Sequence, residues 1–425
     1  MKQLYVFAFT LAVALLTAVP SVAQAPILKP RPDAFAPKDE PSMGKAIAMA
    51  TTVGEMADWD RYPTYETYMA MMQGWASEFG TLCRLDTIGT SVQGRLLLCL
   101  VIDVPSSAKA AKPQFFYTST MHGDEVTGFV MMLRLIDTLL HGYGSNEQYT
   151  DLLDNTLIFI NPLANPDGTY AGGNQTVNLS QRYNANYVDL NRNFPDPFGS
   201  QPLNAQQPEV TAMIDYASAH QFRMSANLHG GSEVMNYPWD SFTSAQNPHP
   251  QSEWWKAVCR RFVDTLRSYS SSHFNDVTST GYVAGGDWYV IPNGRQDYMN
   301  YYHNCLELTI EVSTVKKLSS SQLPEYWRFL QHSLVNYIAE VHNAPEVSTA
   351  VEAASEAEGL RAYPNPTRDR LLLSRAPQAE LCLFNMQGQC VLRAEAGTQQ
   401  LDLSALPQGV YLLRCGALQT KIVRQ

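Results

Sequence analysis

The sequence predicts an α/β fold: a mixed, mostly parallel sheet with helices on both faces, followed by a small all-β domain. Three observations carry that prediction. Apolar runs such as "RLLLCLVIDV" (95–104) and "TLIFINPL" (156–163) have the composition of strands covered on both sides. Between about residues 58 and 343 they alternate with helix-like runs, the pattern of a sheet wrapped by crossover helices. Beyond residue 360 the apolar runs become short and are separated by Gly, Pro and Asn, as in a small β unit.

Taken in order, Lys2 precedes an apolar stretch over Leu4–Val19, and small residues follow in "PSVAQAP". This is the layout of an export signal over residues 1–25, with cleavage after Ala23 or Ala25. No second apolar run of spanning length follows, so no transmembrane segment is expected after signal removal. Residues 26–57 are Pro- and Ala-rich without clear periodicity and read as a linker or short pro-segment. In the main domain, 58–343, "QFFYTST", "FRMSANLHG" and "CLELTIEVS" read as strands, and "GFVMMLRLIDTLL" (128–140) and "PEVTAMIDYASAH" as helices. The segment from Leu323 carries Trp327, Leu330, Leu334, Ile338 and Val341 at helical spacing. Residues 344–359 are acidic, Ala-rich and free of aromatics, as in a linker, and 360–425 form the β unit.

Hydrophobic residues make up 45% of the 425 and charged ones 16%, which excludes a disordered chain. The formal charge of −10 argues against nucleic acid as the main partner and suits a cationic substrate. Seven cysteines form no Cys-x-x-Cys pair, so a thiolate zinc site is not expected. Cys83 and Cys99 flank a predicted two-strand turn near Ser91–Gly94, where they either face each other as a bridge or stay free and buried.

Of nine histidines only His122 has Glu at the third position after it, Glu125, and the pair follows a predicted strand. Ligands of open α/β sheets bind where strands end. His229 closes another strand and is followed by two glycines, which makes it the third candidate. Two neutral imidazoles and a carboxylate leave a fourth tetrahedral position for water, the catalytic form of a zinc site. Zinc-activated water needs a base, and Glu307 and Glu311 share one face of an apolar strand; spacing leaves the choice between them open. Arg182 and Asn191–Arg192 lie in a polar, Asn-rich loop, and Arg192 suits a bidentate grip on a substrate carboxylate.

Several segments in order resemble the zinc metallocarboxypeptidases, in particular the subgroup of carboxypeptidases N, E, M and D. They are "IGTSVQGR", "MHGDEVTG", "INPLANPDG", "RYNANYVDLNRNFPD", "LHGGSEVMNYPWD", "GGDWYVIPNGRQDYMNY" and "CLELTIEVS". The resemblance implies one zinc ion held by His122, Glu125 and His229, with Glu311 as general base. It implies that Asn191 and Arg192 hold the C-terminal carboxylate of a peptide, that Arg182 polarises the scissile carbonyl and that Tyr289 closes over the substrate. Asp240 and Gln296 match positions of the pocket for the last side chain, where an acid implies preference for Lys or Arg. Arg295 replaces an expected Met, and Asp287 is an additional acid near Tyr289. With the set complete, a peptide-binding module without catalysis is disfavoured, and Asp240 disfavours cell-wall peptides. The C-terminal pieces "YPNP", "LFNMQGQCV", "LDLSALPQGVYLLR" and "TKIVR" resemble a type A sorting domain of the type IX secretion system. That resemblance implies the secretion machinery as a partner and a secreted or cell-surface location.

Overall fold

The computed structural model describes residues 47–105, 111–346 and 362–424, except 366, 374, 375, 378, 416 and 417. The expected signal peptide and most of the 344–359 linker lie outside the described residues. Two short strands, β1 (Met49–Ala50) and β2 (Tyr62–Pro63), pair in parallel ahead of the main sheet. Residues 47–57 thus belong to the folded body and not to the linker expected over 26–57. Ala50 and Met56 are buried, and the Ala48 N–H donates to Ser320 Oγ at 2.7 Å. The stretch "AIAMA" is too short to display a period, so its burial was not readable in advance.

The main sheet contains β3 (Cys83–Thr90), β4 (Leu96–Ile102), β5 (Gln114–Ser119), β6 (Leu157–Asn161), β7 (Phe222–His229), β8 (Ser232–Tyr237), β9 (Tyr282–Ala284) and β10 (Leu306–Ser313). Their spatial order is β3-β4-β6-β5-β7-β10-β8-β9. The central strands β6, β5, β7 and β10 run parallel to one another, and antiparallel pairs lie outside them. The connecting helices are α1 (Tyr65–Glu78), α2 (Thr127–Gly142), α3 (Glu147–Asn155), the single turn α4 (Pro166–Thr169), α5 (Pro208–Ala219), α6 (Ser252–Tyr269), the single turn α7 (Gly285–Trp288), α8 (Arg295–His303) and α9 (Leu323–Ala339).

Alternation along the strands sorts side chains to two faces. Phe115 and Tyr117 of β5 join a core with Tyr68 of α1, Phe129 of α2, Trp255 of α6 and Leu334 of α9. Phe116, between them, joins a second core with Val210 of α5 and Tyr298 of α8. Every apolar position anticipated for this helix is buried, from Leu323 to Ile338 in α9 and Val341 in the turn that follows it. Truncating one such residue, Leu334 to Ala, would cost about 2–5 kcal/mol.

Cys83 and Cys99 do not meet. The β3–β4 hairpin sets Cys83 opposite Ile102 and Cys99 opposite Asp86, with a register irregularity between Thr87 and Gly89. The two thiols lie in different cores, on opposite faces of the sheet, and both are free.

The tail forms two small sheets. One pairs β11 (Ala362–Tyr363), β12 (Arg370–Leu373) and β15 (Gln400–Asp402); the other joins β13 (Leu381–Phe384), β14 (Cys390–Ala394), β16 (Gly409–Cys415) and β17 (Leu418–Arg424). Leu371, Leu383, Leu401, Leu413 and Ile422 fill a core of its own. Among the described residues, no helix is long and apolar enough to cross a membrane.

Candidate active site

The parallel strands β5, β7 and β10 end on the same side of the sheet, and the site is built at those ends. β7 and β10 run in register, so Glu307 lies beside Ser225, Thr309 beside Asn227, and Glu311 beside His229. These alternate residues face away from Leu306, Leu308, Ile310 and Val312, which fill the larger core. A polar ladder therefore climbs one face of an apolar pair of strands, with His229 and Glu311 as its top rung. Beyond β5, Thr120 adopts a left-handed φ of 62° and turns the chain so that His122 and Glu125 arrive at the same end.

There His122, Glu125 and His229, all buried, place one donor atom each within 4.8 Å of the others. His122 Nδ1 lies 3.0 Å from Glu125 Oε1 and 3.0 Å from His229 Nδ1, and His229 Nδ1 lies 2.8 Å from Glu125 Oε2. On the far edge of the ring, His122 Nε2 is 3.1 Å from Asp189 Oδ1. A neutral His122 that donates from Nε2 has a lone pair on Nδ1. That lone pair would face a carboxylate and a second imidazole nitrogen, an arrangement a cation between them satisfies. Tetrahedral zinc with bonds of about 2.0–2.1 Å sets neighbouring nitrogens about 3.3 Å apart, close to the separation found here. The donor set therefore fits one zinc ion.

Asp189 was not singled out from the sequence. It fixes the outer nitrogen of His122 and also accepts from Arg182 Nε at 3.0 Å, the second-layer role that orients a ligand imidazole. Its signal was a carboxylate between two arginines in a polar loop. Burial would raise its pKa, but His122 and Arg182 hold it well below the usual range. Burial likewise opposes ionisation of Glu125, and the two histidines outweigh it. His229 is pulled down by burial. For His122, burial and Arg182 act downward, and Glu125 with Asp189 reverse the sign.

Glu311 is raised well above the ordinary range by burial first and by the Glu125 charge second. Its Oε2 has no hydrogen-bond partner among the described residues. It lines a small cavity with His122, His229, Asn191, Tyr289, Asp240, Asn236, Thr309 and Trp288. Glu307, the other candidate base, does not reach this cavity. It accepts from Arg295 Nε at 3.0 Å, from Ser225 Oγ at 2.7 Å and from Asn227 Nδ2 at 3.1 Å.

Of the remaining expected residues, Arg182 lies beside the cluster, with Nη1 3.4 Å from Glu125 Oε1. Asn191 is oriented by two backbone bonds: its Oδ1 accepts from the Arg295 N–H at 2.9 Å, and its own N–H donates to Asp189 Oδ1 at 2.9 Å. Arg192 donates from Nη1 to the Asn191 carbonyl at 2.8 Å and exerts its charge on Asp189, Asp240 and Tyr289. The Tyr289 hydroxyl is raised by burial first and by Glu311 second.

Asp240 forms the inner end of the cavity, and Gln296, outside its lining, donates from Nε2 to Asp240 Oδ1 at 2.8 Å. Gln296 Oε1 and Asn236 Oδ1 are buried acceptors without a donor among the described residues. Asn236, not anticipated from the sequence, adds a further acceptor to this end. Gly285 permits the closure, since a Cβ there would sit 1.8 Å from Asp240 Oδ1. Asp287 points elsewhere, accepting from the Ser244 N–H and hydroxyl.

A histidine–carboxylate–histidine cluster and a glutamate with one oxygen unpartnered among the described residues, at the strand ends of a mixed α/β sheet, make a single-metal centre equipped for hydrolysis. The chain belongs to the zinc carboxypeptidase family, whose model matches residues 68–332. A secretion-system C-terminal sorting domain matches residues 361–425. Carboxypeptidase D of Anas platyrhynchos is 34% identical over 294 residues, covering 66% of this chain and 21% of that protein. The chain thus spans about a fifth of the length of that relative. Carboxypeptidase M of Mus musculus is 34% identical over 300 residues, 66% of each chain. In fold, the chain is similar to thrombin activatable fibrinolysis inhibitor, with a TM-score of 0.58 at 18% identity, covering 68% of this chain and 76% of that one.

Proposed function

We propose that this protein is an exported carboxypeptidase that removes C-terminal Lys or Arg from peptides and proteins. The observation that carries the reading is the meeting, at one cavity, of the His122–Glu125–His229 cluster, Glu311 with its Oε2 unpartnered among the described residues, and Asp240. Zinc, when bound to the three ligands, supplies Lewis acidity that makes a water nucleophilic near neutral pH.

The chain's own groups do the rest. Asn191 and Arg192 grip the terminal carboxylate and Tyr289 covers it, which places the last peptide bond beside Glu311. Glu311 takes a proton from the attacking water as the carbon–oxygen bond forms, and returns it to the leaving nitrogen as the carbon–nitrogen bond breaks. Arg182 offsets the negative charge that develops on the carbonyl oxygen. Asp240, with the Gln296 and Asn236 carbonyl oxygens that lack a donor among the described residues, offers acceptors at the inner end. A guanidinium or ammonium group fills them, whereas an apolar side chain leaves them unpaired.

The C-terminal match supports export through the type IX machinery, with the tail as its recognition element. The test is digestion of peptides that differ only in a final Arg, Lys or Leu, followed by mass spectrometry, with and without a zinc chelator. Loss of a single terminal Arg or Lys, faster than Leu and blocked by chelation, is the expected result. Internal cleavage, or equal rates on all three peptides, would count against it.

A further inference from the structure

We infer that Tyr183 and Tyr187 form an apolar shelf for side chains of the substrate upstream of the bond that is cut, selecting an aromatic residue there. The inference rests on the role given above to Arg182 and deepens it. Tyr183 follows Arg182 directly, and Tyr187 precedes Asp189, the partner of Arg182, by two residues. Both residues are exposed, by 42% and 75%. Neither makes a ring contact or a side-chain hydrogen bond among the described residues.

The turn that carries them is built rigidly. The Asn184 N–H donates to the Val188 carbonyl at 3.1 Å, and the Tyr187 N–H to the Asn184 carbonyl at 3.0 Å. The Asn184 side chain is fully buried. Its Oδ1 accepts from the N–H groups of Asn186 and Val188, and its Nδ2 donates to Gln207 and Glu209. With Asn184 pinned inward, its neighbour Tyr183 is directed outward. Tyr187 sits at a left-handed φ of 58°, a conformation bulky side chains seldom adopt. A tight turn needs no aromatic ring at such a position, and Asn or Gly would fit it with less strain. Tyr187, an exposed residue held at a left-handed φ two residues before the carboxylate that pairs with Arg182, points to a ligand.

The occupant follows from the polarity of the site. The peptide's carboxylate lies at Asn191 and Arg192, and its last side chain lies toward Asp240. The rest of the peptide must leave past Arg182, over this turn. An extended chain advances about 3.3 Å per residue, so a shelf starting beside Arg182 meets the second to fourth residues upstream of the bond. Tyrosine suits the task because its flat ring loses little freedom when a partner stacks on it.

The test uses the zinc-loaded protein and alanine peptides ending in Arg, with Phe placed in turn at the second, third and fourth positions upstream of the bond. At one position Phe should raise kcat/KM over the all-alanine peptide by about three- to tenfold. In the Y183S/Y187N variant, where Asn keeps the left-handed turn, that ratio should fall to within about twofold. Release of Arg from all peptides at one rate, or a Phe preference that persists in the variant, overturns the shelf and leaves the carboxypeptidase reading standing. No release from any peptide removes both. Equal rates together with a tyrosine-dependent dimer in sedimentation would assign the rings to a second copy of the chain and overturn the proposal.

Discussion

Glu307 and Glu311 lie four residues apart on β10, on the same face, each beside a polar residue of β7. At the lower level the carboxylate is saturated. Arg295, Ser225 and Asn227 all donate to it, and the Arg295 guanidinium stacks 5.1 Å from the Phe116 ring centre. At the upper level β10 nears its end, the neighbouring residue is an imidazole, and among the described residues no donor reaches Glu311 Oε2. Burial of a carboxylate therefore does not separate a structural group from a reactive one. The supply of hydrogen-bond donors does, since a saturated carboxylate has no free lone pair for a water proton.

Three changes test that contrast. Glu311→Gln should keep its zinc, measured as bound metal per chain, and lose about 10²- to 10⁴-fold in kcat. Unchanged turnover would mean that the base lies elsewhere. Arg295→Met should leave the zinc content intact but lower stability to urea by about 3–5 kcal/mol, because Glu307 remains buried without its cation. The double variant R295M/E307Q should recover most of the loss. If the single variant is as stable as the parent, the lower level is not the closed ion pair described.

The smallest effect concerns the inner end of the cavity. Burial, followed by the charge of Asp297, raises Asp240 well above the ordinary Asp range against the pull of Arg192. For the empty protein the sign is clear: neutral Asp240 favours the fold below its unfolded pKa, and that gain is lost as pH rises through the folded value. A cationic side chain prefers the ionised form. The KM for peptides ending in Arg should therefore fall with rising pH, about tenfold for each unit below the pocket's pKa. For peptides ending in Leu it should stay flat, and Asp240→Asn should remove the difference. Parallel pH profiles for the two peptides would show that Asp240 does not read the charge.

Much of this was legible in advance. The strands and the α9 stripe followed from period and composition, because burial on two faces or on one helical side leaves a one-dimensional trace. His122, Glu125 and His229 were legible as ligand types at strand ends, and Glu307 and Glu311 as a pair of candidates. Asn236 was missed because β8 was not read as a strand, and Asp189 because a carboxylate between two arginines in a polar loop has the same local pattern as a solvated ion pair. The Cys83–Cys99 bridge failed on register: a turn at Ser91–Gly94 sets Cys99 opposite Asp86, three residues from Cys83.

By itself, the sequence determined the order and type of the elements and the chemical kind of each side chain at the strand ends, since these depend on local pattern and residue identity. The tertiary structure decided which groups share an environment. It brought Arg295 from α8 under one glutamate and left the other open, and it set Asp189 behind His122. It also lodged Cys83 and Cys99 in separate cores. The physical reason is that hydrogen-bond satisfaction and charge pairing are set by distances between segments remote along the chain, and those distances exist only once the sheet has closed.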